Sequence, residues 1–303
     1  MRAVACGWGA VALLALAGCA TGTPAAGPST AAPTSSPIPG TSAPSSTRPS
    51  GTGPSSTRAA SPRPRVVVSS FRAADGTLVT LARFTGPVRY RLHCGSVDPG
   101  PAALPLVHAG PAIGHAEYRR LVAAFNGGFL LAAGAGGYEQ EGHVISPLKP
   151  GLASLVIDRT GTARIGVWGA GLPRPHEPVY SVRQNLPPLV RHGRTSPATG
   201  NWRRWGATLG GGEYVARSAL GENAAGQLVY AGSMSTAPAD LAAALVHAGA
   251  RTAMELDINP EWVQLDIMGR RHRQLRAAIP GQVRPPGQYL AGWTRDFITV
   301  LAG

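Results

Sequence analysis

The sequence predicts an α+β fold: a strand-dominated mixed sheet with few helices, including one βαβ unit. Three observations carry this. From Val66 onward, short apolar or alternating runs recur between Gly, Pro and Asn/Asp turn signals, which is the strand pattern. Only one long stretch, 237–248, spaces its apolar residues for a helix, with Leu241, Ala244, Leu245 and Ala248 on one stripe. That stretch stands between two strand-like runs, 228–230 and 252–258, and strand–helix–strand order makes a βαβ unit.

In chain order, 66–70 and 77–84 read as strands around the Asp75-Gly76 turn, and 88–93 as a third strand. A short helix over 115–121 runs into a buried strand, 122–125, which opens into Asn126-Gly127-Gly128-Phe129. Residues 154–158 and 163–168 form a hairpin around Thr160-Gly161. The polar, Pro-rich stretch 171–202 reads as one long loop, a length that in a compact domain points to function or disorder. Three antiparallel strands are predicted over 205–209, 214–220 and 227–230, with a turn at 223–226. Ser235 or Thr236 can cap the helix, Pro238 suits its first turn, and Gly249 ends it. Residues 262–268 and 293–301 add strands.

Before this domain the composition changes twice. Residues 1–19 join a basic start to an apolar run too short to span a bilayer, ending in Leu16-Ala17-Gly18-Cys19. They resemble a bacterial lipoprotein signal peptide, which implies lipidation of Cys19 and an extracytoplasmic, membrane-anchored protein. Residues 20–65 are Pro, Ser, Thr, Gly and Ala, with Ile38 the one large apolar residue and Arg the only charged type. Such a stretch buries too little apolar surface to offset chain entropy and reads as a disordered tether. Residues 66–303 remain as one domain, long enough for a core without disulfides. Cys94 is its single cysteine and reads as a small buried residue.

The formal charge is +13, and Lys149 is the only lysine. An exported basic domain suits an anionic partner. The aromatic–basic interleaving of RNA-binding modules is missing, so nucleic acid is excluded as a partner. No His/Cys/Asp spacing of a zinc site and no G-x-S-x-G nucleophile turn is present. No cofactor follows from the sequence, and a monomer is expected.

Four segments carry candidate chemistry: Phe125–Phe129, the stretch 183–190 with Asn185 among prolines, Arg217-Ser218-Ala219-Leu220-Gly221, and Met254-Glu255-Leu256-Asp257-Ile258-Asn259-Pro260. In the last, two carboxylates and an amide alternate with apolar residues, so one strand face is polar up to the proline. The order and spacing of the four resemble the phosphodiester glycosidase family, over roughly Val88 to Leu301. The resemblance implies cleavage of a sugar-1-phosphate phosphodiester. In many members the last Asp precedes a Gly-rich, Ser-containing turn; here Ile258–Trp262 follows it.

A sugar 1-phosphodiester already has a good leaving group, so cleavage at its anomeric carbon needs less acid assistance than an ordinary glycoside does. It needs a cation on the phosphate and a carboxylate at the sugar. Arg217 suits the first task, because a guanidinium fork grips phosphate oxygens. Asp257 is the leading carboxylate. Glu255 shares its face and Glu141 is a further candidate for the second member of an acid–base pair. Asn126, Gly127, Gly128, Asn185 and Asn259 are candidates for substrate and phosphate contact, the two glycines by taking positive φ and exposing amides. The sequence thus predicts a lipid-anchored hydrolase of a cell-envelope glycan. The alternative is a non-catalytic domain that binds anionic glycan.

Overall fold

The computed structural model describes residues 65–207, 211–269 and 274–303. The signal, the lipidation at Cys19 and the tether expected before the domain lie outside the described residues. Every described residue belongs to a single compact unit, and no helix among them is long and apolar enough to cross a membrane.

The fold is α+β and strand-dominated, as the alternation of apolar runs predicts. Three sheets form. The first has seven strands: β1 (Val66–Arg72), β2 (Leu78–Phe84), β11 (Val190–Arg191), β12 (Arg194–Thr195), β13 (Val215–Asn223), β14 (Leu228–Thr236) and β15 (Ala250–Glu255), in the order β1-β2-β14-β13-β15-β11-β12. The second has six: β5 (Tyr138–Gln140), β6 (His143–Ser146), β7 (Ala153–Ile157), β8 (Ala163–Trp168), β9 (Gly171–Leu172) and β10 (Ser181–Gln184), in the order β6-β5-β10-β7-β8-β9. The third has five: β3 (Val88–His93), β4 (Leu121–Asn126), β16 (Leu265–Met268), β17 (Leu275–Ala277) and β18 (Phe297–Ala302), in the order β17-β16-β4-β18-β3. Three short α-helices accompany them among the described residues: α1 (His115–Tyr118), α2 (Pro238–His247) and α3 (Gln288–Ala291).

One apolar core gathers side chains from all three sheets, including Phe84, Phe125, Leu155, Leu220, Met254 and Ile298. The other face of the seven-stranded sheet is covered by α2, through Leu241, Ala244 and Leu245 against Ala219, Val229 and Ala253. A third cluster packs Tyr289 and Trp293 on Phe297, with the Tyr289 and Phe297 rings stacked at 4.5 Å.

The βαβ unit is present but split. β14 and β15 both run antiparallel to β13, which lies between them. The two strands joined by α2 are therefore parallel without being bonded neighbours. The α2 cap also differs from expectation: its N-cap is Ala237, which has no side-chain oxygen to accept from the first-turn amides, and no side-chain cap bond forms. The 171–202 stretch is not one loop. It contains β10, buried along its whole length between β5 and β7, and Pro-rich flanks hid its four-residue run. The strand predicted over 205–209 is not seen either. Trp205 closes a short 3-10 turn, Trp202–Arg204, and 208–210 lie outside the described residues.

Candidate active site

Side chains on β13 alternate between the two faces of its sheet. Ala216 and Leu220 enter the central core, Ala219 faces α2, and β15 pairs with β13 in the register Ala219↔Glu255. Asp257 follows the end of β15, where the chain is still tied to β13: the Ser218 amide donates to the Asp257 carbonyl at 2.8 Å. The Ser218 hydroxyl accepts from the Asp257 amide at 3.1 Å and from the Asn126 side chain at 2.9 Å. Tyr230 donates to Asn126 Oδ1 at 3.0 Å. Ser218, in the third of the predicted segments, thus links the end of β4 to the end of β15.

Past that point the Asp257 carboxylate caps its own turn. Oδ1 accepts from the amides of Ile258 at 2.7 Å and Asn259 at 2.9 Å. The residue stands on the wall of a cavity of about 670 Å³ with Phe129, Leu186, Met234, Asn259 and Trp262. It is the only charged residue among the described lining. Burial pushes its carboxyl up to about 7, against the pull of the Asn259 and Ile258 amides and of Arg295.

The cation beside it is one that sequence reasoning missed. Arg295, 4% exposed, sends Nη2 to 3.8 Å from Asp257 Oδ2 and Nε to 3.5 Å from Asp98 Oδ2. Its guanidinium lies 4.1 Å over the Trp262 ring, and Nη2 donates to the Gly128 carbonyl at 3.0 Å. Nε and Nη1 have no hydrogen-bond partner. The next residue, Asp296, forms a buried two-pronged pair with Arg183, Nε–Oδ2 at 2.7 Å and Nη2–Oδ1 at 3.2 Å. Arg183 also donates to the carbonyls of Gln184 and Phe129. The sequence signal was available: Arg295-Asp296 heads a strand of mostly apolar residues, and charges carried into a buried strand need partners.

These pairs explain Gly127 and Gly128. Neither takes positive φ, which corrects the expectation that they serve as an anion-binding turn. They make room instead. A Cβ on Gly127 would sit 1.9 Å from Asp296 Oδ2, and one on Gly128 would sit 2.9 Å from Arg183 Cζ. The Gly127 amide is used by the Asp296 carbonyl at 2.9 Å.

Other predicted residues stand behind the wall or elsewhere. Arg217 is wholly buried on the α2 face of its sheet: Nη1 donates to Glu255 Oε1 at 2.8 Å and to the Trp205 carbonyl, Nε to the Thr236 carbonyl and Nη2 to the Glu213 carbonyl. Its guanidinium is fully engaged within the protein, so it is no phosphate grip here. Glu255 is equally buried. Burial pushes its carboxyl up, opposed by Arg217, and it does not reach the cavity. Asn185 donates to the carbonyls of Glu255 and Leu256 at 2.8 and 2.9 Å, which fixes the end of β15. Glu141 sits at the β5–β6 turn and lines a different cavity. It is raised by burial, but donors from the His108 and Ala109 amides and the His108 ring outweigh that and lower it overall. Of the predicted residues, Asp257 and Asn259 reach the 670 Å³ cavity.

The sequence matches no family profile and no curated protein. Among solved structures, the chain is similar to the catalytic domain of zebrafish N-acetylglucosamine-1-phosphodiester alpha-N-acetylglucosaminidase, auto-inhibited by its pro-peptide. Identity is 15%, the match covers 78% of this chain and 82% of that one, and the TM-score is 0.49. A hypothetical protein from Synechocystis is similar at 14% identity, over 78% of this chain and 62% of that one, with a TM-score of 0.45. Both are distant structural likenesses.

Among the described residues, no group of three or more His, Cys, Asp or Glu is placed to share a metal ion.

Proposed function

We propose that the domain hydrolyses a sugar-1-phosphate phosphodiester of the cell envelope, with Asp257 as its catalytic carboxylate. The observation that carries this reading is a single carboxylate on the wall of a mainly apolar cavity of about 670 Å³, a size usual for small-molecule sites. An ordinary glycoside needs a pair of carboxyl groups about 5 to 9.5 Å apart. Glu255 faces α2 and Glu141 lines another cavity, so neither joins Asp257 there, and no other described lining residue is acidic. A phosphate leaving group removes most of the need for one. Asp257 acts at the anomeric carbon as nucleophile or as base toward water. Arg295, buried behind the wall, stabilises its charged form. The motif resemblance supports the same reaction class, and the Cys19 motif supports work outside the cytoplasm on a lipid anchor.

The test is an activity screen of residues 66–303 on sugar-1-phosphodiesters, run beside Asp257→Asn. Turnover in the parent, reduced on the order of a hundredfold or more in the variant, is expected from loss of an acid–base or nucleophilic group. Turnover that survives Asp257→Asn removes Asp257 from the mechanism.

A further inference from the structure

A second concavity, of about 600 Å³, shares no lining residue with the Asp257 cavity. Five arginines line it: Arg89, Arg91, Arg119, Arg120 and Arg159. They come from β3, from the end of α1 and from the β7–β8 turn. Three carboxylates, Glu117, Glu141 and Asp158, share the lining, which leaves an excess of positive charge.

The carboxylates are committed elsewhere. Glu117 accepts from His93 Nε2 at 2.9 Å and from the Thr299 hydroxyl. Asp158 caps its own turn through the Thr160 and Thr162 amides at 2.7 and 3.0 Å. Glu141 holds the His108 and Ala109 amides at 2.7 and 3.1 Å.

Four of the arginines, in contrast, are held largely by neutral groups. Arg120 Nε and Nη2 both donate to the Ala302 carbonyl, at 3.1 and 2.7 Å. Arg89 donates to the Thr160 carbonyl. Arg159 lies 4.7 Å over the Tyr180 ring. Arg91 meets Glu117 only at 3.7 Å. A carbonyl or a ring orients a guanidinium without cancelling its charge, and each guanidinium carries five donors. The result is a set of oriented, largely unneutralised forks around one concavity.

We propose that this cavity is an anion site that takes a phosphate-bearing chain. Guanidinium forks match phosphate oxygens in pairs. Four of them around 600 Å³ exceed what one phosphate occupies, so the ligand carries several phosphates. The site does not depend on the hydrolase reading, and turnover of a short substrate is independent of it.

The experiment measures binding of inorganic tripolyphosphate and of a glycerol-phosphate polymer to the 66–303 domain by calorimetry at low salt. The parent is compared with Arg89→Ala/Arg159→Ala and with a charge-matched control, Arg191→Ala/Arg251→Ala, whose arginines are exposed on other strands. Arg159→Ala alone, which removes only the cover of the Tyr180 ring, serves if the first double variant melts early. Either probe should bind the parent, lose at least tenfold in affinity in the cavity variants and keep it in the control. The probe that binds more tightly identifies the source of the phosphate. No binding by either probe, or equal losses in both double variants, overturns the proposal, the second because it assigns binding to diffuse surface charge.

Discussion

Arg295 Nη2 stands 3.8 Å from Asp257 Oδ2, while the same guanidinium lies 4.1 Å over the Trp262 ring. The pairing sets the working charge of the site. Asp257 is pushed up to about 7 by burial, and Arg295 is among the groups that hold it that low. If the reaction uses the carboxylate, turnover rises with pH through about 7. Removing the cation by Arg295→Gln should move that inflection to higher pH, because the opposing charge is gone. The measurement is kcat against pH for parent and variant. An inflection that stays in place separates Arg295 from the ionisation of Asp257.

The same group imposes a pH dependence on stability. An Asp raised from 3.8 to about 7 in the folded state binds more protons there than in the unfolded chain between those values. Stability therefore falls as pH rises from about 4 to about 7 and levels off above. Asp257→Asn does not titrate, so its stability relative to the parent should grow over that window, by at most about 4 kcal/mol. Urea melts at pH 4.5 and pH 8 give the difference. A constant gap between the two proteins would show that Asp257 titrates alike in both states.

Arg217 and Glu255 belong to the scaffold. Their pair is fully buried and lies under α2 and Trp205. Glu255→Gln or Arg217→Gln leaves the partner charge uncompensated, which costs about 3–5 kcal/mol in buried pairs. Both variants should melt at markedly lower denaturant. A phosphate-gripping Arg217 would instead give a weaker-binding protein of normal stability.

Period-two alternation located most strands, because half-buried strands write their face into sequence. It also put Asp257 and Asn259 near a strand end, although β15 stops at Glu255 and Asp257 lies buried in the turn that follows. It could not say which way Arg217 faced. The same alternation fits either side of a sheet until the covering helix is known, and α2 turned out to cover the Arg217 side. Gly127 and Gly128 carried an ambiguous signal, since a glycine that yields to a neighbour looks like one that turns the chain. Arg295 and Asp296 were legible as charges in a buried strand, but their partners Asp98 and Arg183 lie 197 and 113 residues back in the chain. Sequence spacing says nothing about pairs made across sheets. β10 was lost because four residues between prolines give too little periodicity.

The close approach at Gly127 makes the last prediction. Its missing Cβ leaves space that Asp296 Oδ2 fills, at 1.9 Å from where that carbon would be. Asp296 cannot swing aside cheaply, because Arg183 holds both of its oxygens. Gly127→Ala must therefore break the buried pair or move the β4 end that carries Asn126. Either outcome should cost several kcal/mol, on the order of the loss from splitting a buried ion pair. Asp296→Ala alone should be similarly damaging, since it strands Arg183. In the double variant Gly127→Ala/Asp296→Ala the obstructing carboxyl is gone, so the loss should be well below the sum of the single losses. The remaining contact, 2.8 Å to the Asp296 carbonyl, keeps the relief incomplete. A denaturant cycle over the four proteins measures this coupling. Strict additivity would mean that the Asp296 carboxyl is not what excludes a side chain at Gly127.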